Sequence, residues 1–89
     1  MLGAFWGGLS AQTSLNVRGT VTDSSGDPLI GVTVKLESMQ PPVVVVTDLD
    51  GVYDIYAPSD GTLTFTYIGY AQATEKINGR SEINVVMKE

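Results

Sequence analysis

The chain contains no cysteine and no histidine among its 89 residues. Without cysteine there is no disulfide and no thiolate metal centre. Without histidine the usual base that activates a serine or threonine nucleophile is missing, and no imidazole is available to zinc. Positive charge is scarce: five Lys and Arg stand against ten Asp and Glu, a net charge of −5. Such a surface repels phosphate backbones, which argues against nucleic acid as a partner. The carboxylates are scattered rather than run together, the pattern of a solvated surface. No apolar run reaches the roughly 20 residues that a membrane-crossing helix needs. No glycine-rich phosphate loop and no helical period is present. A chain of this length makes one domain at most.

Residues 1–13 differ from the rest. Their run MLGAFWGGLSAQ is apolar, glycine-punctuated and uncharged. Leu9-Ser10-Ala11 before Gln12 resembles the end of a secretory signal, although the basic n-region is missing. The division expected is therefore a signal remnant or tail over 1–13 and one β domain over 14–89, with the first part adding no stability to the second.

From Leu15 onward the hydrophobic period is two. Leu15, Val17, Gly19 and Val21 alternate with polar residues, then Val32, Val34 and Leu36, then Tyr53, Ile55 and Ala57, then Leu63, Phe65 and Tyr67, then Ile83, Val85 and Met87. Each run reads as a half-buried strand. Val43 to Thr47 adds a strand whose four consecutive valines suit burial on both faces or cover by a neighbour. Tyr70 to Ile77 adds another. Asp23–Pro28, Asp48–Gly51 and Pro58–Gly61 are turns, and Asn78-Gly79 reads as a hairpin turn. Gly69 marks a bend, and Pro41-Pro42 ends pairing beside the valine strand. About seven strands at this spacing predict an all-β sandwich of antiparallel neighbours. The core expected is Val17, Val21, Val32, Val34, Leu36, Tyr53, Ile55, Leu63, Phe65, Tyr67, Ile83 and Val85.

Candidate chemistry is thin. Asp48, Asp50 and Gly51 look like the start of a calcium loop, but the twelfth position from Asp48 is Ser59 and strands flank the turn, so Asx-type hydrogen bonding is the better reading. Asp23, Asp27 and Asp60 could gather at one end of the sandwich as a weak divalent site, with solvated turn residues as the plainer account. Paired carboxylates for glycoside cleavage need a cleft and a raised pKa, and neither is offered here. Lys35 falls on the polar face of its strand, away from any isopeptide partner. Only Tyr56 and Tyr70 face outward by alternation, too few for a sugar-stacking platform. No catalytic, cofactor or metal residue is assigned.

Four blocks occur in order: Val17-Arg18-Gly19-Thr20-Val21-Thr22-Asp23, Gly26 to Val34, Thr47-Asp48-Leu49-Asp50-Gly51-Val52-Tyr53, and Leu63 to Tyr70. Together they resemble the carboxypeptidase-regulatory-like domain that extends the N-terminus of SusC-like TonB-dependent outer-membrane transporters. The resemblance spans about Leu15 to Lys88. It implies a seven-stranded antiparallel transthyretin-like (prealbumin-like) sandwich on the periplasmic face of the outer membrane, exported by a signal peptide. It further implies a non-catalytic accessory role in a nutrient importer, glycans being the expected cargo. The partner would be the parent transporter's plug and barrel or another periplasmic protein, and the isolated domain would be a monomer without cofactor. One departure is that Pro41-Pro42-Val43-Val44-Val45-Val46 replaces the glycine-rich stretch usual before the Thr-Asp turn. The candidate docking edge is Val43, Val44, Val45, Val46 and Thr47. Two alternatives stand beside this reading: a carbohydrate-binding module, and a regulatory or folding domain of a zinc carboxypeptidase.

Overall fold

The computed structural model describes residues 14–37 and 42–89. The signal reading of 1–13 and the paired prolines' first member, Pro41, lie outside the described residues. The described chain is all β, with seven strands: β1 (Ser14–Thr22), β2 (Thr33–Leu36), β3 (Val43–Val46), β4 (Val52–Pro58), β5 (Thr62–Thr66), β6 (Ala73–Lys76) and β7 (Val85–Val86). They form two sheets, β4-β1-β7 and β3-β2-β5-β6, packed face to face as a sandwich.

Alternation sets the faces. In β1, Val17, Gly19 and Val21 are buried, while between them Arg18 is exposed and Thr20 half-buried. In β4, Tyr53, Ile55 and Ala57 face inward. In β5, Leu63 and Phe65 do the same. A pleated strand points successive side chains to opposite faces, so one packed face follows from one apolar set. Eleven of the twelve expected core residues are buried, and Tyr67 is half-buried against them. Tyr53 from the smaller sheet meets Phe65 from the larger one edge to face, with ring centroids 5.3 Å apart. That contact crosses the interior and joins the two layers.

Close approach is what Gly19 provides. A Cβ there would fall 1.8 Å from the Ile83 carbonyl oxygen. The Tyr53 hydroxyl donates to that same oxygen at 2.7 Å. Burial, with Glu75 adding to it and Arg80 opposing it, holds the Tyr53 phenol well above its ordinary pKa. Gly19, Tyr53 and Ile83 therefore lock β1, β4 and the approach to β7 together.

Three expectations need correction. The sheets are not antiparallel throughout: β1 pairs with β7 in parallel, Val21 against Val85 and Thr22 against Val86. The remaining pairs are antiparallel. Asn78-Gly79 is not a hairpin turn, since β6 lies in one sheet and β7 in the other. Both residues do take positive φ, 49° and 74°, but turn chemistry licenses a reversal without choosing the strand that pairs next. The Asp48–Gly51 turn likewise carries the chain between sheets instead of closing a hairpin. Finally, β6 begins at Ala73 rather than Tyr70, because Tyr67–Tyr70 closes into a turn with the Tyr70 N–H on the Tyr67 carbonyl at 3.1 Å.

Candidate functional site: the valine edge strand and its turns

The strand β3 is an outer edge of the larger sheet. Its valines are not buried on both faces: Val43 and Val45 are half-buried, while Val44 and Val46 are 51% and 61% exposed. The even spacing of the run decides this. One pair packs inward beside β2 and the other stands on the outer sheet face, level with Lys35 and Thr33.

Hydrogen-bond phase fixes the backbone too. The Thr47 N–H donates to the Val32 carbonyl at 3.1 Å, and the register pairs Val46 with Thr33 and Val44 with Lys35. Bonded and non-bonded pairs alternate in an antiparallel ladder. The N–H and C=O groups of Val44 and Val46 therefore point away from β2. On the far side of β2 the phase agrees: the Glu37 N–H donates to Thr62 O at 3.0 Å, so Thr33 and Lys35 direct their backbone groups to β5. Two residues of β3 thus carry edge groups with no strand beside them among the described residues.

Thr47 anchors the end of that edge. It is 3% exposed. Its hydroxyl donates to the Leu29 carbonyl at 2.6 Å and accepts from the Val32 N–H at 2.9 Å. The Gly31 N–H reaches the Thr47 carbonyl at 3.1 Å. The hydroxyl ties the segment preceding β2 to the end of β3. The expected edge ran through Thr47, but β3 ends at Val46, and Thr47 turns its hydroxyl and both backbone groups inward, a bridging role the alternation did not reveal.

Asp48, Asp50 and Gly51 form the turn that follows. The Asp48 carboxylate accepts from the Asp50 N–H at 2.9 Å and the Val52 N–H at 3.0 Å, which is the Asx-type bonding expected. The Gly51 N–H bonds the Asp48 carbonyl at 2.9 Å. Gly51 has φ 74°, and a Cβ there would lie 2.7 Å from the Val21 carbonyl oxygen. The left-handed backbone and the close packing both require glycine at this position. Asp50 makes no side-chain bond in this turn and stands exposed.

The same loop occurs twice. The Asp23 carboxylate accepts from the Ser25 N–H at 2.9 Å and the Asp27 N–H at 3.0 Å, and Gly26 bonds the Asp23 carbonyl at 3.0 Å. The signal was present as a repeated Thr-Asp-x-x-Gly, at Thr22–Gly26 and Thr47–Gly51. The two turns are neighbours, joined by the Val21 N–H on Gly51 O at 2.8 Å.

Asp60 does not join them. Thr20 pairs with Val52 while Ser14 pairs with Pro58, so the Pro58–Gly61 turn lies at the opposite end of the sandwich from Asp23 and Asp27. No group of three or more carboxylates poised for a metal occurs among the described residues. Lys35 is exposed, as the alternation required. Tyr56 is 67% exposed but stands alone, while Tyr70 packs on Tyr67 with centroids 5.6 Å apart. Around Tyr56 the outer face of the smaller sheet is polar. Arg18 pairs with Asp54 at 3.4 Å and Asn84 accepts from the Thr20 N–H at 2.9 Å. An exposed pair such as Arg18–Asp54 contributes at most about 1 kcal/mol.

Sequence reading did not anticipate the apolar tips. Ile30, Leu49 and Ile68 are exposed by 49%, 77% and 92%. All three lie beyond the Val46–Thr33–Thr66 row, at the Asp48 end of the larger sheet. With Val44 and Val46 they make five of the seven exposed large apolar side chains among the described residues. Exposed apolar groups gathered in this way mark an interaction surface more often than scattered ones do.

The chain is similar to the TonB-dependent receptor SusC of Bacteroides thetaiotaomicron, 27% identical over 75 residues. The match covers 84% of this chain and 7% of that receptor, so the chain spans a small fraction of its relative's length. The sequence model of the carboxypeptidase regulatory-like domain matches residues 16–88, from the second residue after Ser14 almost to the last. With that match over most of its length, the chain belongs to the carboxypeptidase regulatory-like domain family.

Proposed function

We propose that this domain is a non-catalytic accessory module of a SusC-like TonB-dependent nutrient importer, placed on the periplasmic face of the outer membrane and acting by docking to another protein. The similarity to a TonB-dependent receptor supports the setting. The observation that carries the docking role is β3: an uncharged edge strand with two exposed valines and outward backbone groups. Soluble proteins usually blunt such edges with charge, proline or cover. The other edge of the same sheet does so, since β6 carries Glu75 and Lys76. An edge left without charge suits pairing with an extended segment of a partner. In this reading the domain is a transthyretin-like sandwich over 14–89, monomeric by itself, and residues 1–13 are the end of a secretory signal. Deleting 1–13 is expected to leave the melting temperature within a few degrees.

The test is deletion of the equivalent of Leu15 to Lys88 from the parent transporter. Import or partner recruitment should fall while the barrel still inserts in the outer membrane. Unchanged import together with unchanged partner recovery would refute the role.

A further inference from the structure

We infer that the segment docking on β3 is an extended strand with β-branched or aliphatic side chains on one face and basic residues at the end that meets the Asp48 turn. The inference rests on the docking reading above and adds the chemistry of the partner.

Two observations define the occupant. The first is the apolar edge. An incoming strand that bonds the outward groups of Val44 and Val46 lays one row of its side chains beside those two valines. Cross-strand β-branched pairs are the favoured neighbours at such positions. Pro42, exposed just before β3, has no N–H to offer, so pairing runs from Val43 toward Thr47 and not back past Pro42.

The second observation is charge. Asp48 and Asp50 sit at the Val46 end, and the twin turn brings Asp23 and Asp27 to the same end of the sandwich. Glu89 is also there. The Met87 N–H bonds the Thr22 carbonyl at 2.8 Å and the Ala71 N–H bonds the Lys88 carbonyl at 2.7 Å, which brings the chain end to the Asp23 turn. Half of the ten acidic residues thus occupy this end. Two of the five cations, Lys76 and Arg80, lie at the other end, where Lys76 pairs with Thr62 and Gly79 bonds Ser59 O. Lys35 stands level with Val44, on the middle of the face. Lys88 also lies at the acidic end, next to Glu89, and Glu37 flanks Lys35 on the outer face of β2, so charge along β3 runs from a balanced pair at its start to a net excess of carboxylates beyond Val46. A strand with Lys or Arg past Val46 complements it. Opposed charges of this kind favour encounter and fix register. Leu49, exposed in the turn that follows β3, is placed to cover the stem of a long basic side chain at this end.

The experiment is a selection of displayed random decapeptides on the full 89-residue protein, followed by fluorescence anisotropy with the recovered peptides. The expected peptides alternate Val, Ile or Thr with other residues and gather Lys or Arg at one end. Val44→Pro removes an outward N–H and leaves the β2 ladder intact. It is expected to weaken these peptides about tenfold, the scale of one or two edge hydrogen bonds. Val46→Lys keeps the backbone and should act likewise by adding charge to the basic end. Asp50→Asn, at a carboxylate outside the turn's own bonding, should weaken binding several-fold at low salt and have less effect at high salt. Recovery of no peptide, of acidic peptides, or of peptides indifferent to all three substitutions would overturn the inference. The deletion experiment on the parent transporter reads a different quantity. Import can fail to change while the peptide preference stands, and the preference can fail while deletion still lowers import.

Discussion

Replacing Thr47 with valine tests the bridge at the end of β3. The substitution keeps shape and β-propensity while removing one hydroxyl. Two buried backbone groups lose their partners: the Val32 N–H, bonded at 2.9 Å, and the Leu29 carbonyl, bonded at 2.6 Å. The third bond of this junction, the Thr47 N–H on Val32 O, does not involve the side chain and survives. Each buried group left unpaired costs about 1–3 kcal/mol. Valine's extra apolar methyl recovers part of this, so the net loss expected is about 2–4 kcal/mol. Against a total stability of about 5–15 kcal/mol, that is a large fraction. With a urea slope of about 1–3 kcal/mol/M for a small domain, the midpoint should fall by roughly 1–2 M. Thr47→Ser keeps the hydroxyl and gives up only a methyl, so it should lose about 1 kcal/mol. Urea denaturation followed by far-UV circular dichroism measures both variants. If Thr47→Val lay within 0.5 kcal/mol (roughly, the usual scatter for neutral surface changes) of the parent, or were the more stable of the two, the bridging argument would be wrong.

Other perturbations follow from the core. Gly19→Ala places a methyl into the Ile83 carbonyl, 1.8 Å away on the ideal geometry, so it should destabilise by at least ~3 kcal/mol or prevent folding, read by yield and melting temperature. Phe65→Ala removes the fully buried ring that meets Tyr53 and should lose about 3–5 kcal/mol by chemical denaturation. Because burial raises the Tyr53 phenol pKa in the fold, the neutral phenol is the form the fold favours. Its contribution is complete below the unfolded value near 10 and declines as pH rises beyond it (about one proton's worth of slope). Denaturation midpoints should therefore fall above that pH in the parent and fall less steeply in Tyr53→Phe. Equal slopes would show that Tyr53 does not carry the effect.

The faces of the strands were legible in the residues themselves. Val17 and Val21, Val34 and Leu36, Tyr53 and Ile55, and Leu63 and Phe65 are buried where the period of two placed them. The reason is local: a pleat assigns alternate side chains to opposite faces whatever the strand pairs with. The Asp48 turn was legible for the same kind of reason, since its carboxylate bonds backbone two and four residues on. The edge position of β3 was also legible, from prolines that cannot join a ladder. What tertiary structure alone decided is non-local. Alternation does not say that β1 lies between β4 and β7, that β7 runs parallel to it, or that the turns at Asp48 and Asn78 cross between sheets. Those outcomes depend on which faces fit when the two layers close. The four valines show the division most plainly. Their composition fitted burial on both faces, but at an edge with no covering layer among the described residues Val44 and Val46 stand on the surface. In the same way, the hydroxyl of Thr47 became a buried bridge, and Asp60 was separated from Asp23 and Asp27, only once strand order brought distant segments together or set them at opposite ends.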